Sequence, residues 1–271
     1  MPDWLTPIVT ALDARATPCT FFFRDDDAGR DDERLFALLD RFAAHGAPLD
    51  LAVIPAALTP ALAARLRARM QAVDGARPGV HQHGYAHVNH EPAGRKCEFG
   101  PNRVRPAHFH DLRAGRTILA SAFDGAADPI FTPPWNRCSA DTASCLRMLG
   151  FRALSRDVTA SPFGLPIIAE IPVAVDWCRL RPPGAAADAL AGRIAACVAG
   201  ASPVGIMLHH AVMDKSDMIL LDGLLPLLQT HRMACSVPMR TLLPADRSTS
   251  FGNAHTGART LPVSRPEGIA E

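Results

Sequence analysis

The run Cys19-Thr20-Phe21-Phe22-Phe23 ends directly in Arg24-Asp25-Asp26-Asp27. A continuous apolar and aromatic stretch of this kind reads as a strand buried on both faces, as in a parallel sheet. Three adjacent carboxylates at the end of such a strand are unfavourable unless positive charge compensates them. The stretch therefore constrains fold and chemistry together. It asks for a buried parallel strand whose carboxyl end meets a cation. Asp31, Asp32 and Glu33 make no such demand, because the start of the following helix favours acids.

Downstream, strand and helix signals alternate. A helix over 32–44 carries Leu35, Phe36, Leu38, Leu39 and Phe42 on one stripe and stops at Gly46. Residues 49–54 are strand-like. Thr59-Pro60 opens a helix to about residue 73, as N-cap and first-turn proline. Gly79-Val80 leads into a strand ending in histidines. A short helix over 7–15 precedes all of this, and an irregular loop over 91–108 follows it. The expected helices continue over 108–123, from the Ser139 cap to 149, over 188–198, and over 218–228 despite Gly223 and Pro226. The expected strands are 129–132, 151–155, 167–175 interrupted by Pro172, 204–208 and 235–243. From 246 onward the chain is rich in Ser, Thr, Gly and Pro without periodicity, so a barrel domain over 1–245 and a disordered tail over 246–271 are expected.

Alternation of this kind makes a parallel sheet, with function at the carboxyl ends of its strands. Polar groups stand at those ends: the aspartate triplet, the histidines after residue 80, Trp135-Asn136-Arg137, Asp176-Trp177 and His209-His210. On a barrel they would face one another. The segment His81-Gln82-His83-Gly84-Tyr85-Ala86-His87-Val88-Asn89-His90 holds four imidazoles in ten residues. His83 and His87, four apart, project from one face of a helical turn and can grip one ion, with a carboxylate as third ligand.

Composition excludes several classes. A formal net charge of +1 gives no strong attraction to nucleic acid or to a membrane surface. No uncharged apolar run reaches spanning length, and no signal peptide is expected at Met1-Pro2-Asp3-Trp4, where no basic region leads into a long apolar run. The seven cysteines include no close pair with CxxC spacing, which suits a reducing compartment. A cytoplasmic protein is expected, acting on a small molecule or glycan.

Five short blocks, in order, resemble the polysaccharide deacetylase family, carbohydrate esterase family 4 and its deacetylase-like relatives. They are residues 23–27, His83-Gly84-Tyr85-Ala86-His87, Phe131-Thr132-Pro133-Pro134-Trp135, Val175-Asp176-Trp177 and Ile206-Met207-Leu208-His209-His210. The resemblance covers about residues 20–210 and is most specific in the two-histidine block. It implies a distorted (β/α)7-type barrel and one divalent metal, zinc, held by an aspartate with His83 and His87. The aspartate is Asp26 by direct alignment, or Asp27 by the Asp-x-Asp pattern of some relatives. Asp25 aligns with the general base. His210 aligns with the histidine that protonates the leaving amine, with His209 adjacent to it. Asp176 joins the catalytic groups, and Tyr85, Pro134, Trp135, Arg137, Trp177 and His209 line the substrate groove. The third block usually carries an arginine where Thr132 stands; Arg137 is the nearby replacement. The implied activity is hydrolysis of an N-acyl, chiefly N-acetyl, group on an amino sugar or glycan. The alternatives are hydrolysis of another non-peptide amide, such as a cyclic ureide, and a carbohydrate-binding barrel without turnover.

Overall fold

A computed structural model of the chain describes residues 2–72, 76–180, 186–200 and 203–244. The tail expected at 246–271 lies outside the described residues. The elements run α1 (Thr6–Asp13), β1 (Cys19–Ala28), α2 (Asp32–Ala44), β2 (Asp50–Val53), α3 (Pro60–Gln71), β3 (Gly79–His83), α4 (Arg105–Ala122), β4 (Ile130–Thr132), α5 (Ala140–Met148), β5 (Ala153–Leu154), β6 (Ala169–Glu170), β7 (Val175–Asp176), α6 (Ala186–Ala199), β8 (Val204–Leu208), α7 (Lys215–Thr230) and β9 (Ala234–Ser236). Helix starts follow their caps. Thr59 Oγ1 accepts from the Leu62 amide, Ser139 Oγ from Thr142, and Asp214 and Asp217 form a reciprocal capping box.

Every strand pairing is parallel, in the order β6-β5-β4-β3-β2-β1-β8-β7, with β9 added on β1. The strand expected over 167–175 is in fact two strands at opposite ends of this path. Pro172, which has no N–H to give a ladder, marks the break. The backbone there crosses between sheet edges: the Ile171 and Val173 amides donate to Leu154 and Arg156, then the Ala174 amide donates to Gly205. One segment thus joins both edges and curls the sheet into a distorted (β/α)7-type barrel.

The period of two decides what faces where. Outward positions Phe21, Phe23, Leu51, Val53, Val80, Val204, Ile206 and Leu208 share one buried cluster with Leu35, Phe42, Leu221 and Leu225 of the surrounding helices. Phe23 meets Phe42 edge-on at 5.0 Å, and truncating such a ring to alanine costs roughly 3–5 kcal/mol. Inward positions Phe22, Ile130, Ala153 and Met207 pack together inside the barrel with Met239. By the same alternation Arg24, Asp26, His81, His83, Thr132, Ser155 and His209 point inward, whereas Asp25 and His210 point outward.

Candidate metal centre

β1 continues through the aspartate triplet, but its register against β2 shifts between Asp25 and Ala28, and Asp27 takes φ +70°. That bulge re-aims the last carboxylate. Each acid of the triplet consequently meets a different partner. Asp25, fully buried, accepts from His210 Nδ1 at 2.6 Å and from the His210 amide at 2.9 Å. Asp26, 3% exposed, receives both arms of Arg24: Nε donates to Oδ1 at 2.7 Å and Nη2 to Oδ2 at 2.9 Å. Asp27 Oδ1 stands 3.2 Å from His83 Nε2 and 3.0 Å from His87 Nε2.

The helical turn expected to carry His83 and His87 is not formed. His83 ends β3, and the chain turns at Gly84 with φ +54° before His87 at φ +57°. The two histidines still converge, from a strand end and a turn. His83 Nδ1 stands 3.1 Å from the Thr132 carbonyl, which fixes the tautomer that leaves Nε2 free to bind. Trp135 lies on His87 with ring centroids 4.5 Å apart. It does so in a left-handed backbone, φ +56°, followed by Asn136 at φ +57°. A tryptophan held there costs on the order of 1–3 kcal/mol, which the surrounding contacts must offset.

Asp27, His83 and His87 offer three ligand atoms within 4.8 Å of one another. Asp27 Oδ1 is buried and has no hydrogen-bond partner, although both imidazoles are close. Arg30 reaches only the other oxygen, at 3.7 Å from the solvent side. Burial pushes the Asp27 carboxyl up; with a proton on either Nε2 the two imidazoles would outweigh it and hold the group well below the usual carboxylate range. Asp25 and Asp26 already have compensating charge; Asp27 faces two imidazoles instead. This donor set fits one divalent cation.

Around this cluster the expected residues are distributed unevenly. Asp26 is not grouped with the histidine ligand atoms; it is bound to Arg24. Arg24, not Arg137, supplies the guanidinium against an inward aspartate, and also donates to Ser155 Oγ at 2.7 Å and Asn136 Oδ1 at 2.8 Å. Arg137 donates to the Lys96 carbonyl. Thr132 Oγ1 stands 2.9 Å from His81 Nε2. Burial, with Arg24 adding to it, pushes the His81 imidazole down to about 3, so it stays neutral.

His210 has both ring nitrogens engaged, with Nε2 2.6 Å from the Arg30 carbonyl, and is fully buried. Burial lowers it, but Asp25 and the Arg30 carbonyl raise it to about 9. His209 is half-buried and close enough to Asp26 to help keep that carboxyl ionised, and its Nδ1 has no partner. Trp177 lies in the core and donates from Nε1 to Asp217 at 2.9 Å. Asp176 accepts from the Arg179 amide, and among the described residues no hydrogen bond links it to His209. The Tyr85 ring packs on a core cluster around Phe99 and Phe131, and Pro134 is buried beneath Gly84. The period of two along β1 and β8 was the signal for Arg24 and His209, since both share the parity of inward Phe22 and Met207.

Among solved structures, the chain is similar to a family 4 acetyl xylan esterase from Clostridium thermocellum in complex with a cobalt ion, at 14% identity and a TM-score of 0.57, covering 85% of this chain and 95% of that one. It is similar to a family 4 carbohydrate esterase from Streptomyces lividans in complex with acetate, at 16% identity and a TM-score of 0.54, covering 82% and 93%. A family 4 pseudoenzyme from Bacillus anthracis matches at 14% identity and a TM-score of 0.53, covering 82% and 64%. The resemblance read from the five blocks is borne out at the level of fold. No family model and no curated protein matches the sequence.

Proposed function

We propose that the chain is a metal-dependent hydrolase that removes an N-acyl group, in the first instance N-acetyl, from an amino sugar or glycan. The observation that carries this reading is Asp27 Oδ1, a buried carboxylate oxygen without a hydrogen bond, set between His83 Nε2 and His87 Nε2. A divalent cation held by these three residues supplies Lewis-acid polarisation of an acyl carbonyl and lowers the pKa of water.

The chain's own groups supply the proton transfers. Asp26, inward and beside the ligands, takes the proton from the attacking water. Burial alone would push its carboxyl up, but Arg24 foremost, with His83 and His209, keeps it ionised. His209, inward and with a free ring nitrogen, gives a proton to the departing amine. These roles replace the assignment of base and acid to Asp25 and His210. That pair is enclosed behind β1 with every ring nitrogen and carboxylate oxygen already engaged, which supports placing the roles on Asp26 and His209. Trp135 offers an aromatic wall beside His87 on which a sugar ring can stack.

Among the described residues no disulfide joins any cysteine, and no helix is long and apolar enough to cross a membrane. Seven scattered cysteines without CxxC spacing support a reducing, cytoplasmic setting, and with it a precursor-sized substrate. The test is metal analysis of the purified protein, followed by acetate release from a panel of N-acetylated sugars, with a cyclic ureide included. Wild type should carry about one divalent ion per chain and release acetate, and a folded His83→Ala/His87→Ala variant should do neither. Metal bound without turnover on any panel member would favour the carbohydrate-binding barrel instead.

A further inference from the structure

Glu98 lies outside every sequence block and is only 1% exposed. Its carboxylate accepts two backbone amides, Tyr85 N to Oε2 at 3.1 Å and Ala86 N to Oε1 at 2.7 Å. Both amides belong to the turn between His83 and His87. The carboxylate also lies directly against Gly84, where a Cβ would stand 2.1 Å from Oε2 and 2.6 Å from Pro134. Gly84 takes φ +54° and His87 takes φ +57°, so the turn is not one the chain adopts unaided. The segment holding Glu98 is itself anchored. The His90 amide donates to the Cys97 carbonyl at 3.0 Å, Cys97 N to Asn89 Oδ1 at 2.9 Å, and Ser139 N to the Phe99 carbonyl at 2.9 Å.

We propose that Glu98 is a positioning residue for the metal centre, its buried carboxylate fixing the Tyr85–Ala86 turn so that His87 meets Asp27 and His83. The proposal rests on reading those three residues as cation ligands. Two adjacent N–H groups aimed at one side chain need an acceptor with two oxygens. Glutamine offers one oxygen and presents an N–H to the other amide, so it breaks the clamp without changing volume. Glu98 touches no reacting atom; it acts through the backbone that carries His87. Partners that orient a ligand in this way typically change metal affinity by about 10–100-fold when lost.

The experiment measures Zn²⁺ affinity by chelator competition on four metal-stripped proteins: wild type, Glu98→Gln, His87→Ala and the double variant. Melting temperature is recorded for each without metal. Glu98→Gln should weaken Zn²⁺ about 10-fold or more in the wild-type background and hardly at all once His87 is gone. The visible spectrum of the Co²⁺-loaded Glu98→Gln protein should shift toward that of His87→Ala. An equal loss in both backgrounds, or a lowered melting temperature with unchanged Zn²⁺ affinity, would make Glu98 a structural residue and overturn the proposal. If Glu98→Gln does not fold, Glu98→Asp carries the same cycle; failure of both to fold also overturns it. Retention of Zn²⁺ by the His83→Ala/His87→Ala variant would instead sink the ligand reading itself.

Discussion

The pair Arg24 and Asp26 offers the sharpest test of the site. Their side chains are 0% and 4% exposed, and two parallel N–H···O bonds of 2.7 and 2.9 Å join them. Arg24→Met keeps much of the volume and leaves Asp26 buried without its cation. Removing one partner of a buried pair costs roughly 3–5 kcal/mol, because the survivor is an uncompensated charge. For a domain of this size that is a fall in Tm on the order of 6–20 °C. Asp26→Asn alone strands the guanidinium and should cost a similar amount. Arg24→Met/Asp26→Asn leaves no stranded charge, so its loss should be smaller than the sum of the two by about 2 kcal/mol or more. Activity should not recover with stability. Each of the three variants should lose on the order of 10²-fold in kcat, since the base is lost or misaimed. Zn²⁺ content should persist in all three, because Asp27, His83 and His87 are untouched. Denaturant titration, metal analysis and acetate release measure the three quantities. Additive stability losses, or normal turnover in Arg24→Met, would refute the assignment of Arg24 as the partner of the base.

Three further outcomes are expected. His209→Ala should lower kcat on the order of 10²-fold with Tm and metal content kept, while His210→Ala should lose roughly 3–5 kcal/mol of stability by stranding Asp25; a stable, inactive His210→Ala would reverse the two roles. His210 is raised to about 9, so its contribution is present in full below the unfolded value near 6.5 and is lost as pH rises through about 9; urea denaturation at pH 6 and pH 10 should show this fall, and a His210→Gln variant should show less of it. At the other end of the barrel, burial foremost and Asp128 as well raise Asp50 to about 7 against the Met239 amide bond, so ionising it costs stability progressively from about pH 4 to pH 7, and Asp50→Asn should gain on the order of a few kcal/mol at neutral pH and flatten that slope; a destabilised Asp50→Asn would contradict this.

Much of the architecture was legible because the hydrophobic signals were strong. The Cys19–Phe23 run, the Thr59 and Ser139 caps and the Val204–Leu208 run sit where their periodicity puts them. The strand over 167–175 failed because two short strands on either side of Pro172 look like one apolar stretch. Position in the sheet is a long-range property that the local run does not encode. The histidine turn was misread because spacing of four suits a helix as well as a reversing chain; Gly84 was the available hint. In the last two blocks it is parity that separates neighbouring residues. Val175 and Trp177 share a parity, and Val175 faces the helices, so Trp177 belongs to the core. His210 shares the parity of outward Leu208, and His209 that of inward Met207. Only the β1 bulge had no sequence mark, since Asp27 adopts a positive φ without a glycine to announce it.

On the proposed reading, the placing of the arginine on β1 follows from what the barrel interior can hold. Where Thr132 stands, the resembled family usually has an arginine, yet the chemistry asks only for a guanidinium against an inward carboxylate. Arg24 meets that demand from β1 itself, two residues from Asp26 and on the same face. Its remaining donors reach Ser155 beside β5 and Asn136 after β4, so it also ties three walls of the barrel together. A second arginine at 132 would enter the same buried compartment with no further carboxylate free, since Asp25 points outward and Asp27 faces the histidines. An unpaired buried cation of that kind is strongly unfavourable. A small hydroxyl at 132 instead serves His81, which burial keeps neutral. Among the described residues the interior therefore holds one fixed cation, paired with Asp26, and leaves Asp27 with its two imidazoles as the place where a further positive charge lowers the energy.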